Sequence, residues 1–338
     1  MAPMVDPFEG SGFGVVELSL AISSFPRMYG RLQQLKVFVE QGVTTRSVVV
    51  ERENNTLSIL PDVPVGAPAT QNLGGSRDMR PISAYHVPLE DVLLPEDVQG
   101  RRKLGSTNEV ESATEAMAKK LQGMGRKHSI TLEAYLAGAI GGTILTANGA
   151  TSVDLNAFWG TTEQVVDFDL DDTATNVRGK CMDVCRYIED GLLGEPFDHV
   201  HALCDPLSFA ALTNHERVKE EFRHQASLTN RDDIRKGFNF GGILFEEYSG
   251  KAAQPNGTVR KFIPDNTMRF FPVGSADAFH LWWAPGDFID TANTIGVPLY
   301  AMQERRKFNR GWDLHTQFNP LPFVARPNAL VRGGVNID

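Results

Sequence analysis

The chain has 338 residues, of which 41% are apolar and 22% are charged, a composition that predicts a globular protein of two or three domains. The formal net charge of −9 argues against a freely exposed duplex-binding surface, because such surfaces are usually basic. No run of 18 apolar residues is present, so the sequence predicts no transmembrane helix.

The N-terminal third alternates between extended and irregular sequence. Residues 1–30 are rich in Gly, Pro and Ser, which predicts an extended arm or, equally well, a frayed terminus. The valine-rich sequence of residues 37–50 predicts strands. Residues 61–81 carry four prolines and three glycines, so we expect a long excursion that cannot bury itself. Strand-like sequence leads into this excursion at residues 57–60 and returns from it at residues 82–85.

A long helix follows the excursion. Ser106 and Glu109 form a capping-box pattern, and apolar residues then recur at helical spacing. Because Gly123 and Gly125 weaken the middle, we predict one interrupted helix over about residues 108–145.

The remaining chain predicts a mixed α+β structure. Helical stripes are present at residues 173–193 and 206–222. The strand candidates cover residues 153–159, 243–248, 258–263, 278–283 and 324–330, and a turn signal at residues 255–257 joins the second to the third.

Three motifs fail as cofactor or metal sites. The glycines of residues 10–14 follow no strand and lack the second half of a nucleotide-binding loop. The acidic run Asp167–Asp172 lacks both the glycine and the distal glutamate of a calcium loop, and we interpret it as a helix N-terminus. His199, His201 and Cys204, with Cys181 and Cys185, could supply zinc ligands, but the cysteines fit apolar stripes better. Three cysteines imply reduced thiols in a cytoplasm.

Two clusters of positive charge are candidates for contacts between molecules. They consist of Arg101, Arg102 and Lys103, and of Arg305, Arg306, Lys307 and Arg310. Either cluster could contact phosphate, but a solvated face or an inter-subunit ion-pair site is the favoured interpretation.

The most specific words of the sequence lie in "EEYSG…NGTVRKFIPDNTMRFFPVG", residues 246–274. A strand ends in Y-S-G, a turn contains Asn256-Gly257, and F-I-P-D-N-T-M follows. This order resembles the lambda-type major capsid proteins of tailed bacteriophages, the phage major capsid protein E family. The signature residues are Tyr248, Ser249, Gly250, Pro264, Asp265, Asn266, Thr267 and Met268. Residues 243–272 resemble the family in amino-acid sequence. The rest of the chain resembles it only in the order and type of its predicted elements.

The resemblance implies an α+β, HK97-type capsid fold with a defined order of parts. An arm would occupy residues 1–30, and an extended loop residues 58–86. The peripheral domain would begin at residues 31–57, continue over 87–149 with a spine helix at 108–145, and resume at 311–338 with a C-terminal strand. The axial domain would span residues 150–310 and include the hairpin at 243–272.

The resemblance also implies a function without catalytic residues, cofactor or metal. The subunit would self-assemble as hexamers and pentamers into an icosahedral head that encloses double-stranded DNA. Its partners would be copies of itself, a scaffolding protein, the portal at one vertex, weakly contacted DNA and, optionally, a decoration protein, with no membrane involved. Assembly would take place in the bacterial cytoplasm, and the product would be part of the virion.

Two other functions stay open from the residues alone. Asp265 lies in a polar turn between strand-like runs, where an enzyme could hold a catalytic carboxylate. The proline-rich loop could instead belong to a protein-binding adaptor. We favour a structural role for the turn, because Pro264 holds the preceding residue extended and Asp265 and Asn266 can bond to their own backbone.

Overall fold

The structure is a computed structural model, and it describes residues 19, 30–53, 77–99, 112–224 and 233–336. The helices in these ranges are α1 (Arg31–Gln34), α2 (Pro95–Val98), α3 (Ala113–Ile140), α4 (Leu155–Trp159), α5 (Val177–Leu192), α6 (Pro206–Asn214) and α7 (Glu216–His224). The strands are β1 (Val39–Gly42), β2 (Ser47–Glu53), β3 (Arg77–Ser83), β4 (Val87–Leu93), β5 (Thr143–Leu145), β6 (Thr151–Asp154), β7 (Gln164–Asp167), β8 (His199–Cys204), β9 (Phe238–Phe240), β10 (Ile243–Glu247), β11 (Lys251–Ala253), β12 (Val259–Lys261), β13 (Thr267–Val273), β14 (Phe279–Trp283), β15 (Tyr300–Arg305), β16 (Trp312–Phe318), β17 (Pro320–Val324) and β18 (Val331–Gly334).

The long helix α3 begins at a complete capping box. The Ser112 hydroxyl accepts from the Glu115 N–H at 3.2 Å, and the Glu115 carboxylate accepts from the Ser112 N–H at 3.1 Å. The capping pair predicted at Ser106 and Glu109 lies outside the described residues. The predicted interruption is wrong, because α3 runs without a break from Ala113 to Ile140. It also ends earlier than predicted, since the chain turns at Gly142, with φ +76°, into β5.

A six-stranded mixed sheet forms one core, in the order β7-β18-β13-β8-β10-β9. Its central strand β13 pairs antiparallel with both β8 and β18, so the segment just after the signature turn lies in the middle of the sheet. Phe270 and Phe271 of β13 are fully buried. Helix α5 packs against β13 and β18 with the apolar stripe Val177, Cys181, Val184, Ile188 and Leu192.

A second group of strands packs around the long helix. One three-stranded sheet has the order β15-β16-β4 and another has the order β1-β14-β17. Helix α3 contacts β4, β16 and β17, and His128 on α3 forms a 2.9 Å hydrogen bond with Thr316 of β16. Three two-stranded ribbons, β2-β3, β5-β6 and β11-β12, complete the described sheets.

Several predicted elements divide where backbone geometry changes. Residues 153–159 form the end of β6 followed by α4, because Asp154 caps the helix by accepting from the Ala157 N–H at 3.0 Å. Residues 206–222 form two helices, since His215 leaves the helical conformation at ψ 136°. Residues 324–330 are mostly a connection between β17 and β18, and Pro327 starts a 3₁₀ turn there.

Among the described helices, none is both long enough and apolar enough to cross a bilayer.

Candidate functional site

The signature turn joins the β11-β12 hairpin to the central strand β13. Asn266 has φ +57°, a left-handed conformation that asparagine tolerates better than most residues. The Thr267 hydroxyl donates to the Asp265 carbonyl oxygen at 3.2 Å, which closes the turn locally. Met268 then enters β13 fully buried. The turn therefore carries the chain from an exposed hairpin directly into the core.

The Asp265 carboxylate lies at the surface. Its side chain is 52% exposed and is ion-paired with Lys261. A half-exposed pair of this kind contributes at most about 1 kcal/mol to stability. This position supports the interpretation of Asp265 as a turn residue.

A buried carboxylate that the sequence reasoning missed anchors the turn from beneath. Asp205 is 1% exposed and accepts from the N–H groups of Leu207 at 3.0 Å and Ser208 at 3.2 Å, which caps α6. The same carboxylate accepts from the Thr267 N–H at 3.1 Å, and the Asp205 N–H donates to the Thr267 carbonyl at 3.2 Å. Its sequence signal was the Asp-Pro pair at residues 205–206, a typical helix start.

The Y-S-G word has a second anchor in the long helix. The Tyr248 hydroxyl donates to Glu133 of α3 at 2.9 Å. The Tyr248 ring covers Gly250 so closely that a Cβ atom there would lie 2.5 Å from the ring. Burial, together with the nearby charge of Glu133, raises the pKa of Tyr248 well above its usual range. Tyrosine and glycine are therefore needed together, because the ring occupies the space of a side chain at position 250.

Glu133 and Glu246 tie the start of the described chain to this same region. Glu133, 2% exposed, also accepts from the Leu32 N–H at 3.1 Å, and burial raises its pKa. Arg31 donates to both oxygens of Glu246, at 2.6 and 2.7 Å. Burial alone would raise the pKa of Glu246, but His201, at 3.2 Å, and Arg31 hold that pKa below its ordinary value. The sequence signal for Glu133 was an acid among the apolar residues of a helical stripe.

The structure describes only the second of the two positive clusters. Arg101, Arg102 and Lys103 lie outside the described residues. Arg305, Arg306, Lys307 and Arg310 are all exposed around the β15-β16 turn. Arg306 is paired with Asp313 at 2.8 Å, and Arg305 donates to Asn309 at 2.9 Å.

The histidines and cysteines considered above as metal ligands lie on a strand and a helix, and the acidic run begins at the end of a strand of the fold. Helix α5 begins at Val177 behind an Asn176 cap, so the predicted start at Thr173, beside the acidic run Asp167–Asp172, is wrong. His201 is fully buried beside Glu246, and burial raises the pKa of the Cys181 and Cys204 thiols. Within the described ranges, His, Cys, Asp and Glu side chains form no group of three or more arranged for a metal ion. The glycines of residues 10–14 lie outside the described residues.

Comparison with known proteins covers nearly the whole chain. The family model described as phage major capsid protein E matches residues 14–335. The major capsid protein of Pseudomonas phage KPP10 is 28% identical over 345 residues, which cover 96% of this chain and 97% of the relative.

Solved structures share the fold at much lower identity. A phage-related protein from Bordetella bronchiseptica RB50 superposes with a TM-score of 0.57 at 11% identity, over 94% of this chain and 96% of that one. A chain of the mature capsid of bacteriophage PhiM1 gives a TM-score of 0.52 at 12% identity, over 98% of this chain and 91% of that one. The α+β, HK97-type fold class is thereby confirmed.

Proposed function

Because this chain belongs to the phage major capsid protein E family, we propose that it is the major capsid protein that builds the head shell of a tailed phage. The subunit assembles as hexamers and pentamers into an icosahedral shell around double-stranded DNA. The observation that carries this proposal is the family match over residues 14–335, in a chain whose fold is shared with a solved phage capsid. The product is a virion component, and its assembly takes place in the cytoplasm of the host bacterium.

We propose that the chain is divided as the family layout implies, with α3 as the spine of the peripheral domain. Strand pairing supports one refinement of the boundary predicted at residue 310. Strand β13 belongs to the six-stranded sheet, whereas β14 pairs with β1 and β17. We therefore place the end of the axial segment near residue 275, and assign the C-terminal strand β18 to the axial sheet because it pairs with β13.

The extended loop at residues 58–86 is proposed to lie on a neighbouring subunit. Its described base is the β2-β3 ribbon, in which Val49 and Met79 are each 55% exposed. These two residues are diagonal neighbours on one face of the ribbon, since Val49 pairs with Pro81 and Glu51 pairs with Met79. A two-stranded ribbon is marginal alone, so an exposed apolar face supports a covering partner.

The arm, residues 1–30, is proposed to contact other subunits as well. Within its own subunit, Ser19, the one described arm residue before Gly30, accepts a 3.0 Å hydrogen bond from the Ala301 N–H on the edge strand β15, so the contacts with other subunits are proposed from the family layout alone. The other proposed partners are a scaffolding protein, the portal, packaged DNA in weak contact and, optionally, a decoration protein. The two positive clusters are proposed inter-subunit contacts.

Electron microscopy and size-exclusion chromatography of the purified full chain test the function. We expect closed shells, or hexamers and pentamers that close when the scaffolding protein is supplied. A chain that stays a monomer or small oligomer with scaffold present would overturn the proposal.

A further inference from the structure

The turn between β15 and β16 presents an aromatic ring among cations. Phe308 is 88% exposed, and its backbone is left-handed at φ +61°. The Arg310 guanidinium lies 5.8 Å from the ring centroid. We name residues 305–310 the basic aromatic tip. Exposed aromatic rings beside arginines are typical of the residues that dominate protein interfaces.

A cavity of opposite charge lies on the outward face of the same three-stranded sheet. Its volume is about 450 Å³, which is within the roughly 300–1,000 Å³ of ligand-sized sites. Four carboxylates line this acidic cavity, those of Glu90, Asp91, Glu304 and Asp313. Apolar atoms line it too, from Val92, Phe288 and Met302. Glu90 contacts His315 at 3.3 Å but is 81% exposed, so most of its side chain is accessible to a partner.

Of the tip, Arg306 alone lines the acidic cavity of its own subunit, where it is paired with Asp313, and the Phe308 ring does not fill that cavity. Phe308 is almost fully exposed where it stands, at the end of a hairpin held in register from Tyr300 to Arg305. Met302, which lines the cavity, lies three positions before the end of β15 at Arg305, about 10 Å at the rise of an extended chain, and Phe308 lies beyond that end, in the turn. A Phe308 ring that packs in this cavity therefore comes from another molecule.

Resting on the shell function proposed above, which places many copies side by side, we propose that the basic aromatic tip of one subunit docks in the acidic cavity of a second copy. Phe308 then packs against Phe288 and Met302, and its neighbouring cations face the carboxylates. The contact joins two different surfaces, so it closes into a ring where the rotation between copies allows.

The charges of the two surfaces favour a protein over DNA as the occupant. The tip, with the sequence RRKFNR, carries four positive charges and no negative one. Among the described residues, Asp313 is paired with Arg306 and Asp91 with Lys120, and Glu90 lies 3.3 Å from His315. The four carboxylates of the cavity therefore outnumber the guanidinium and ammonium groups beside them. Such a cavity repels phosphate and attracts a cationic protein surface.

Charge reversal tests the pairing in the full chain with scaffolding protein supplied. We expect Lys307→Glu or Glu90→Lys alone to lower the yield of closed shells, and the double variant to restore most of it. Phe308→Ala should lower the yield roughly tenfold or more, as for an interface hot spot. Leu193→Ala is the matched control, because Leu193 is also an exposed apolar residue, 67%, with a left-handed backbone at φ +56°.

A disulfide measures the contact directly. Lys307→Cys and Glu90→Cys in one chain should give ladders of linked chains from oxidised shells on a non-reducing gel, whereas either single variant and the unmodified chain should not. The two sites cannot join within one subunit. Glu90 pairs with His315 and His315 with Met302, so Glu90 and Met302 are two strand spacings apart, about 10 Å. Strand β15 ends at Arg305, about 10 Å further along, and residue 307 follows in the turn, past the roughly 7 Å limit for a disulfide.

The outcomes separate this inference from the shell function. If the unmodified chain forms no shells, the proposed function fails. If it forms shells and the tip variants do so equally well, without ladders, the docking inference is overturned. Normal shells that package less DNA when Lys307 is reversed would instead assign the tip to DNA and also overturn it.

Discussion

At the residue scale, the signature turn depends more on a buried acid outside it than on the acid within it. Asp205 accepts three N–H donors from two segments, α6 and the start of β13. Asp265 is half exposed and has a surface lysine as its partner. Removing a buried acceptor leaves its N–H donors without a hydrogen-bond partner. When a surface charge is removed, its former partner can bond to water instead.

The first prediction compares these two acids. Asp205→Ala should lower the free energy of unfolding by about 2–4 kcal/mol, because a helix cap and a turn anchor are lost together. Asp265→Asn should change it by less than about 0.5 kcal/mol. Urea unfolding of isolated subunits measures both values. Equal effects of the two substitutions would contradict the anchoring role of Asp205.

The second prediction concerns pH and His128. Burial, and secondarily the nearby His315, lower the pKa of His128 from 6.5 to about 4. The unfolded chain therefore binds the proton more readily, so His128's contribution to stability is complete above pH 6.5 and is lost as the pH falls toward 4. The amount is on the order of 3 kcal/mol.

Unfolding free energies across that pH range test the sign. His128→Gln should flatten the rise of stability with pH, whereas His86→Gln, at a residue 41% exposed, should leave the slope in place. An unchanged slope in His128→Gln would show that other groups cause the pH dependence.

At the element scale, two glycines show how the same residue type serves different needs. Gly123 lies inside α3, where an added methyl group would meet no neighbouring atom within 4 Å, and the helix passes through it unbroken. Gly250 lies under the Tyr248 ring. Because Gly250 has no side chain, the Tyr248 ring can lie over it and reach Glu133.

The third prediction follows from this difference. Gly123→Ala should stabilise the subunit by about 0.5–1 kcal/mol, because alanine favours the helix and meets open space. Gly250→Ala should destabilise it by roughly 1–3 kcal/mol, because the Tyr248 ring must move. Thermal unfolding of the two variants beside the unmodified chain measures whether each substitution raises or lowers stability. A neutral Gly250→Ala would contradict the close packing of Tyr248 on this turn.

At the scale of the whole molecule, several surfaces have no cover among the residues that the structure describes. The β2-β3 ribbon exposes Val49 and Met79, and the basic aromatic tip exposes Phe308. Exposed apolar residues of this size on separate projections indicate partners, and a shell of identical subunits supplies them.

The fourth prediction is that deleting residues 65–79 leaves a folded subunit but blocks shell closure. The deletion removes most of the proposed loop and the strand residues that pair with Glu51, Arg52 and Glu53, while the cores around α3 and β13 are untouched. Circular dichroism and electron microscopy of the same preparation measure folding and closure. Normal heads from this variant would show that the loop is not needed for assembly.

By itself, the sequence determined the α+β class, the long helix and, through the motifs Y-S-G and P-D-N-T-M, the family. It also placed the Asn256-Gly257 turn, but the hairpin around that turn is β11–β12, residues 251–261, whereas β10 pairs with β8 and β9. These features depend on local periodicity, turn chemistry and short motifs, which are encoded in neighbouring residues. Only the tertiary structure decided which partners hold the signature turn. Thr267 is tied to Asp205, 62 positions away, and Tyr248 to Glu133, 115 positions away. Such pairs depend on strand order and helix placement, which bring distant segments together through the burial of apolar faces and leave no periodic trace in the sequence.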